Sequence, residues 1–174
     1  MVVIVFGLPG SGKSYFASKL AKKIKADYIN SDRLRKEMFK KRTYSKEEKE
    51  AVYHKMLDRM KEDLDQNTNV ILDATFHKKE TRQPFMKEME KKGGVYFIEI
   101  TATESIIRER LKRERPYSEA DFKVYKIISS QNEPLAEPHL VLQSTNNNIE
   151  EMLQKACEYL KCKNDKRTDK QTGF

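Results

Sequence analysis

Five apolar residues run straight into a glycine-rich loop, VVIVF then GLPGSGKS over residues 2–14, and this junction constrains the chain more than any other feature. The loop fits G-x-x-x-x-G-K-[ST]. In that pattern glycines let successive backbone N–H groups turn inward around a phosphate, while Lys13 reaches its oxygens and the Ser14 hydroxyl reaches Mg²⁺. The short β-branched run before it suits a fully buried strand of a parallel sheet. After it, Phe16, Leu20 and Ile24 recur four apart, a helical stripe over Tyr15 to Lys25. A helix N-terminus behind the loop adds its own attraction for an anion. The candidate cradle is therefore Gly7, Leu8, Pro9, Gly10, Ser11, Gly12, Lys13, Ser14 and Tyr15.

The remaining pattern is α/β. Asp27–Asn30 reads as a second strand, with Ser31 capping a helix to about Lys40. Ser45 and Glu48 form a capping box that opens a long helix whose inner face is Val52, Tyr53, Met56, Leu57, Met60 and Leu64. VILD at 70–73 is a third strand. A helix over 78–92 is expected to kink at Pro84 and to end at Gly93 and Gly94. Val95–Ile100 is a fourth strand; Thr103 and Ser118 cap the next two helices, the first reaching about Glu114. Leu140–Gln143 precedes a final helix over 146–161 with Ile149, Met152, Leu153, Ala156 and Leu160 inward. Strands alternating with helices imply a parallel sheet covered on both faces, with ligands beyond the carboxyl ends of the strands.

A length of 174 residues suits one domain, expected over 1–161, with a charged tail over 162–174 that frays or carries a nucleic-acid arm. Hydrophobic residues make up 37% and charged residues 36%, which excludes a membrane-spanning run. A core strand at the start leaves no space for a leader, and the cytoplasm is the expected compartment. Cys157 and Cys162 suit neither a disulfide framework nor a zinc site. The net charge of +8 is compatible with nucleotides or nucleic acid as ligands.

Three groups follow strand ends and should share the loop's edge of the sheet. In NSDRLR, Asp32 and Arg35 lie one helical turn apart; Asp32 could accept the proton of an attacking hydroxyl and Arg35 could hold an anionic part of the acceptor. Asp73, closing an apolar strand, is the usual kind of residue to hold Mg²⁺ with Ser14. Thr75, His77 and Arg82 are acceptor-side candidates. In RERLKRER, Ile106, Ile107 and Leu111 supply an inner face, so the cations are expected on the outer one. Mobile Arg110 and Arg113 would stabilise charge beneath a lid.

Taken in order, GLPGSGKS, NSDRLR, VILDATF, RERLKRER and NEPLAEPHLVLQST resemble the P-loop kinase family that includes the polynucleotide 5′-hydroxyl kinase domain, zeta toxins, chloramphenicol phosphotransferase and gluconate kinase. The resemblance spans roughly residues 2–160. It implies a five-stranded parallel sheet in the order 2-3-1-4-5, with an Arg-rich lid over the phosphates of ATP·Mg²⁺ held by Lys13 and Ser14. It also implies Asp32 as general base, Arg35 on the phosphate beside a 5′ end, and residues 144–147 near the adenine. The reading put first is an ATP- and Mg²⁺-dependent kinase of a polynucleotide or nucleotide 5′-OH, with no obligate protein partner. A small-molecule kinase stands second and an acceptor-free nucleotide switch third; no N-K-x-D guanine motif occurs in the chain.

Overall fold

The computed structural model describes residues 1–90, 92–113 and 117–162. Its centre is a five-stranded sheet in the order β2-β3-β1-β4-β5, from β1 (Val2–Phe6), β2 (Asp27–Asn30), β3 (Val70–Asp73), β4 (Val95–Thr101) and β5 (Leu140–Gln143). Every pairing is parallel. β1 is buried along its whole length because it is central and covered on both faces.

Alternation along β1 divides the core in two. Val2, Ile4 and Phe6 pack with Leu34 of α2 (Ser31–Met38), with Val52, Met56 and Met60 of α3 (Lys46–Asp65), and with Phe85 and Met89 of α4 (Lys79–Met89). Val3 and Val5 face the other way, onto Phe16 and Leu20 of α1 (Lys13–Ile24) and Met152, Leu153 and Ala156 of α7 (Ile149–Tyr159). Each fully buried aliphatic side chain contributes roughly 1.5–3 kcal/mol, so two closed layers hold the sheet edge where the loops meet. α5 (Glu104–Leu111) and α6 (Phe122–Ser130) connect β4 to β5.

Several helix ends differ from expectation, each for a local reason. Asn30, not Ser31, caps α2: its side chain accepts from the Arg33 N–H at 2.9 Å. Asp121, not Ser118, caps α6, accepting from the Val124 N–H at 2.8 Å. The capping box of α3 is half formed. Ser45 accepts from the Glu48 N–H, but Glu48 turns to the N–H groups of Thr43 and Tyr44 instead of that of Ser45. α4 runs through Pro84 uninterrupted, with Pro84 and the Glu80 residue left without its donor both exposed. α7 starts only at Ile149, because Asn148 accepts from the Thr145 N–H at 2.8 Å and donates to the Gln143 carbonyl at 2.9 Å. α5 ends at Leu111; Glu114, Arg115, Pro116 and the tail from residue 163 lie outside the described residues.

Candidate functional site

Where β1 ends, the chain turns through Gly7, Gly10 and Gly12, all at positive φ. Two of these positions leave no room for a side chain. A Cβ on Gly7 would lie 2.3 Å from the Ile100 carbonyl oxygen, and one on Gly12 would lie 2.9 Å from the Ser144 hydroxyl and 3.0 Å from the Arg110 guanidinium. α1 begins at Lys13 with Gly12 as its N-cap and no side chain closing the cap, so its first N–H groups stay available to an anion. Lys13 and Ser14 are half-buried, Tyr15 is exposed, and the Ser11 hydroxyl is buried without a hydrogen-bond partner.

Arg110 departs from both expectations placed on it. Rather than standing on the outer face of α5, it turns inward beside Ile107 and Leu111, which flank Gly10. Its guanidinium donates to the Ser11 carbonyl at 3.0 Å, the Ser144 hydroxyl at 2.9 Å and the Thr145 carbonyl at 2.8 Å. It is a fixed strut between the glycine loop and the β5–α7 loop, and burial pulls its pKa down. Arg113 is exposed just past α5.

The parallel register sets Asp73 beside Val5 of β1 and Asn30 of β2. This carboxylate is fully buried, and one oxygen, Oδ2, accepts from the Tyr28 hydroxyl and from Asn30 Nδ2, each at 2.6 Å. The other, Oδ1, is buried with no partner. A buried anionic oxygen left unsatisfied beside a phosphate cradle fits a hydrated divalent cation, the group the sequence pattern implies. Burial first, and then the Asp73 charge, push the Tyr28 phenol far above its usual pKa, so it stays a donor. The same hydroxyl reaches the Ser14 carbonyl at 3.4 Å, tying β2 to the first turn of α1.

The next strand end carries a denser charge cluster. Arg35 is 7% exposed and lies between two carboxylates: its NH1 nitrogen donates to Asp32 Oδ1 at 3.1 Å, and its Nε lies 2.9 Å from Glu48 Oε1, an ion pair without hydrogen-bond alignment. The Tyr44 ring covers it, 4.9 Å away. Glu48 is itself 5% exposed and accepts from the Thr43 N–H at 2.6 Å, the Thr43 hydroxyl at 2.9 Å and the Tyr44 N–H at 3.2 Å. Burial raises its pKa, and the Thr43 and Tyr44 donors with Arg35 outweigh that and hold it below the usual range. Asp32 is the most open member, with 28% of its side chain exposed.

Thr75 and His77 follow β3 on the same edge and are half-buried. Burial, with Lys78 and Lys49 nearby, lowers the His77 pKa and favours the neutral ring. Arg82 is buried, and its donors go to the carbonyls of Phe76 at 2.8 Å, Glu133 at 2.9 Å and Pro134 at 3.4 Å. It therefore clamps the segment after α6 to the turn after β3.

The segment before α6 crosses towards α2 and the loop after it. Glu119 pairs with Arg42 and accepts from the Tyr44 hydroxyl at 3.0 Å. The Tyr117 ring lies under Arg33 and near Lys36, at 4.9 and 5.4 Å. The expected start of α6 at Ser118 fails because these residues are spent on that crossing. Glu48, Tyr28 and Glu119 are the participants that sequence reasoning missed. For Glu48 a signal existed, since an acid three residues into a helix was read only as part of a cap.

The sequence matches the AAA domain family over residues 2–138. No curated protein matches it. Among solved structures, the Mycobacterium tuberculosis APS kinase CysC in complex with AMPPNP and APS superposes with a TM-score of 0.70 at 21% identity, covering 92% of this chain and 96% of that one. A sugar kinase from Janibacter sp. HTCC2649 gives 0.68 at 18% identity, over 92% and 94% of the two chains. A gluconokinase from Sinorhizobium meliloti 1021 gives 0.63 at 17%, over 92% and 95%. The glycine cradle, the carboxylate ending β3 and the strand order are thus parts of a P-loop kinase fold, and by its sequence the chain belongs to the AAA domain family.

Proposed function

We propose that the protein is an ATP-dependent phosphotransferase that moves the γ-phosphoryl group to a hydroxyl of a small molecule. The observation that carries this reading is the shared edge of the sheet: an open phosphate cradle with Lys13, the half-satisfied Asp73 carboxylate, and the accessible Asp32 carboxylate all follow strand ends there. Lys13 and the free N–H groups at the start of α1 bind and orient the phosphates. Ser14 and Asp73 would hold Mg²⁺, which when bound offsets phosphate charge. Asp32 accepts the proton of the acceptor hydroxyl, and Arg35 keeps that carboxylate in place. Arg113, exposed just past α5, is the arginine assigned to the transferring group, while Arg110 braces the cradle. Thr75 and His77 stand on the acceptor side.

Two observations favour a small molecule over the polynucleotide 5′-OH that the motif resemblance puts first. Arg35, the expected grip on a nucleic-acid phosphate, is already engaged by two carboxylates, Asp32 and Glu48. The structural neighbours named above are kinases of a sugar, of gluconate and of APS. The test is transfer of labelled γ-phosphate from ATP with Mg²⁺ to a panel of sugars, sugar acids and nucleosides beside a 5′-OH oligonucleotide. Label on a small alcohol, lost in Asp32→Asn, is the expected result. Label on the oligonucleotide alone would move the acceptor back to nucleic acid, and free phosphate alone would overturn the kinase reading.

A further inference from the structure

Glu48 is buried, charged, and given no task by the chemistry just described. Burying a carboxylate beside a guanidinium is weak evidence of stabilisation, because desolvation opposes the attraction between the pair. Here two carboxylates flank one guanidinium. The members of the cluster are graded in exposure: the side chains of Glu48 and Arg35 are 4% and 8% exposed, and that of Asp32 is 28% exposed. The buried end is fastened by three donors from Thr43 and Tyr44. The open end is the Asp32 carboxylate.

We propose that Glu48 is a positioning residue: it anchors the Arg35 guanidinium by its Nε edge, and through Arg35 fixes the direction in which Asp32 meets the acceptor hydroxyl. This rests on Asp32 being the base. Arg35 alone could swing about its long side chain, carrying its bond to Asp32 with it. Ion-paired along its Nε edge with Glu48 and covered by Tyr44, it is restrained in the geometry in which its NH1 edge meets Asp32. Tyr44 brings a second consequence. Its backbone N–H is held by Glu48, and its hydroxyl holds Glu119 of the crossing segment, so one buried carboxylate ties that segment to the base.

The experiment compares the whole chain with Glu48→Gln, whose amide oxygen can keep the Thr43 and Tyr44 N–H groups while its NH2, a donor without charge, replaces the carboxylate oxygen facing Arg35. The first readout is independent of activity: the ¹⁵N signal of the Arg35 Nε–H, assigned by its loss in Arg35→Lys. In Glu48→Gln that signal is expected to shift, because the carboxylate charge 2.9 Å from Nε is gone, while the Arg82 signal stays put. The second readout is phosphoryl transfer. We expect kcat to fall about tenfold to a hundredfold with KM for ATP within about twofold of the original, and Glu48→Asp to recover part of the loss. If Gln at 48 leaves the chain unfolded, Glu48→Asp carries both readouts alone, with a smaller change in the same direction. An unchanged Arg35 signal would overturn the anchoring. A displaced signal with unchanged kcat, or a fall confined to KM for ATP, would overturn the positioning role. Failure of the wild-type chain to phosphorylate any acceptor would instead overturn the kinase reading, and the Nε–H signal would still decide whether Glu48 anchors Arg35.

Discussion

The two sides of the proposed site are made of different materials. The phosphate wall is mostly backbone: three glycines at positive φ, the open end of α1, and one arginine spanning two loops. The proposed acceptor wall is mostly side chain: an Asp–Arg–Glu cluster, Tyr44 above it, and a carboxylate brought in from 119. Backbone can be specified by a short contiguous motif, because the residues that permit the conformation also make the site. Side-chain clusters join distant positions, and each member is an ordinary surface-type residue when read alone. Phosphate binding should therefore break at single points, whereas acceptor geometry should degrade in steps.

The largest effect tests the first wall. Lys13→Ala should lower transfer by about 10²–10³-fold and weaken ATP binding, read by labelled transfer and by calorimetric titration; normal transfer would mean that the cradle does not serve the reaction. Asp32→Asn comes next and should separate the walls. Transfer should fall by about 10² with the Kd for ATP within about twofold; a parallel loss of ATP binding would show that the two walls are not independent. Arg110→Lys keeps the charge but lacks the fork that reaches both loops. An ATP affinity reduced by about tenfold is expected, with kcat changing less. Unaltered affinity would reduce Arg110 to a packing residue.

Much of the fold was written in local signals. Val2–Phe6, Asp27–Asn30, Val70–Asp73 and Leu140–Gln143 are strands with the expected bounds, since short apolar runs between turn residues carry their own period. The glycine loop was legible for the same reason. What failed was decided by tertiary contacts. The start of α6 moved because Tyr117 and Glu119 are used in contacts to Arg33 and Tyr44, and Arg110 turned inward because α5 sits against Gly10. Glu48 was hidden by its own plausibility, for an acid near a helix start already has a local explanation. The crossing itself could not be foreseen, because no local pattern relates 42–44 to 117–119.

The smallest expected effect concerns the edge of the acceptor wall. In the folded chain the His77 pKa lies below its ordinary value of 6.5 because the ring is partly buried. The unfolded chain therefore takes up a proton first as pH falls. His77 contributes stability above pH 6.5 that is lost below it, so the unfolding midpoint should drop on acidification through that range and drop less in His77→Gln. Equal slopes for both chains would show that the ring titrates as it would in solvent.

The Arg110 strut bears on how this cleft could be re-engineered. It joins the glycine loop to residues 144 and 145, and Gly12 has no space to retreat from it. The two loops are in effect one casting. A library that varies residues 144–146 would also disturb the glycine loop, so variants selected from it should come back with compensating changes at 110 or in that loop.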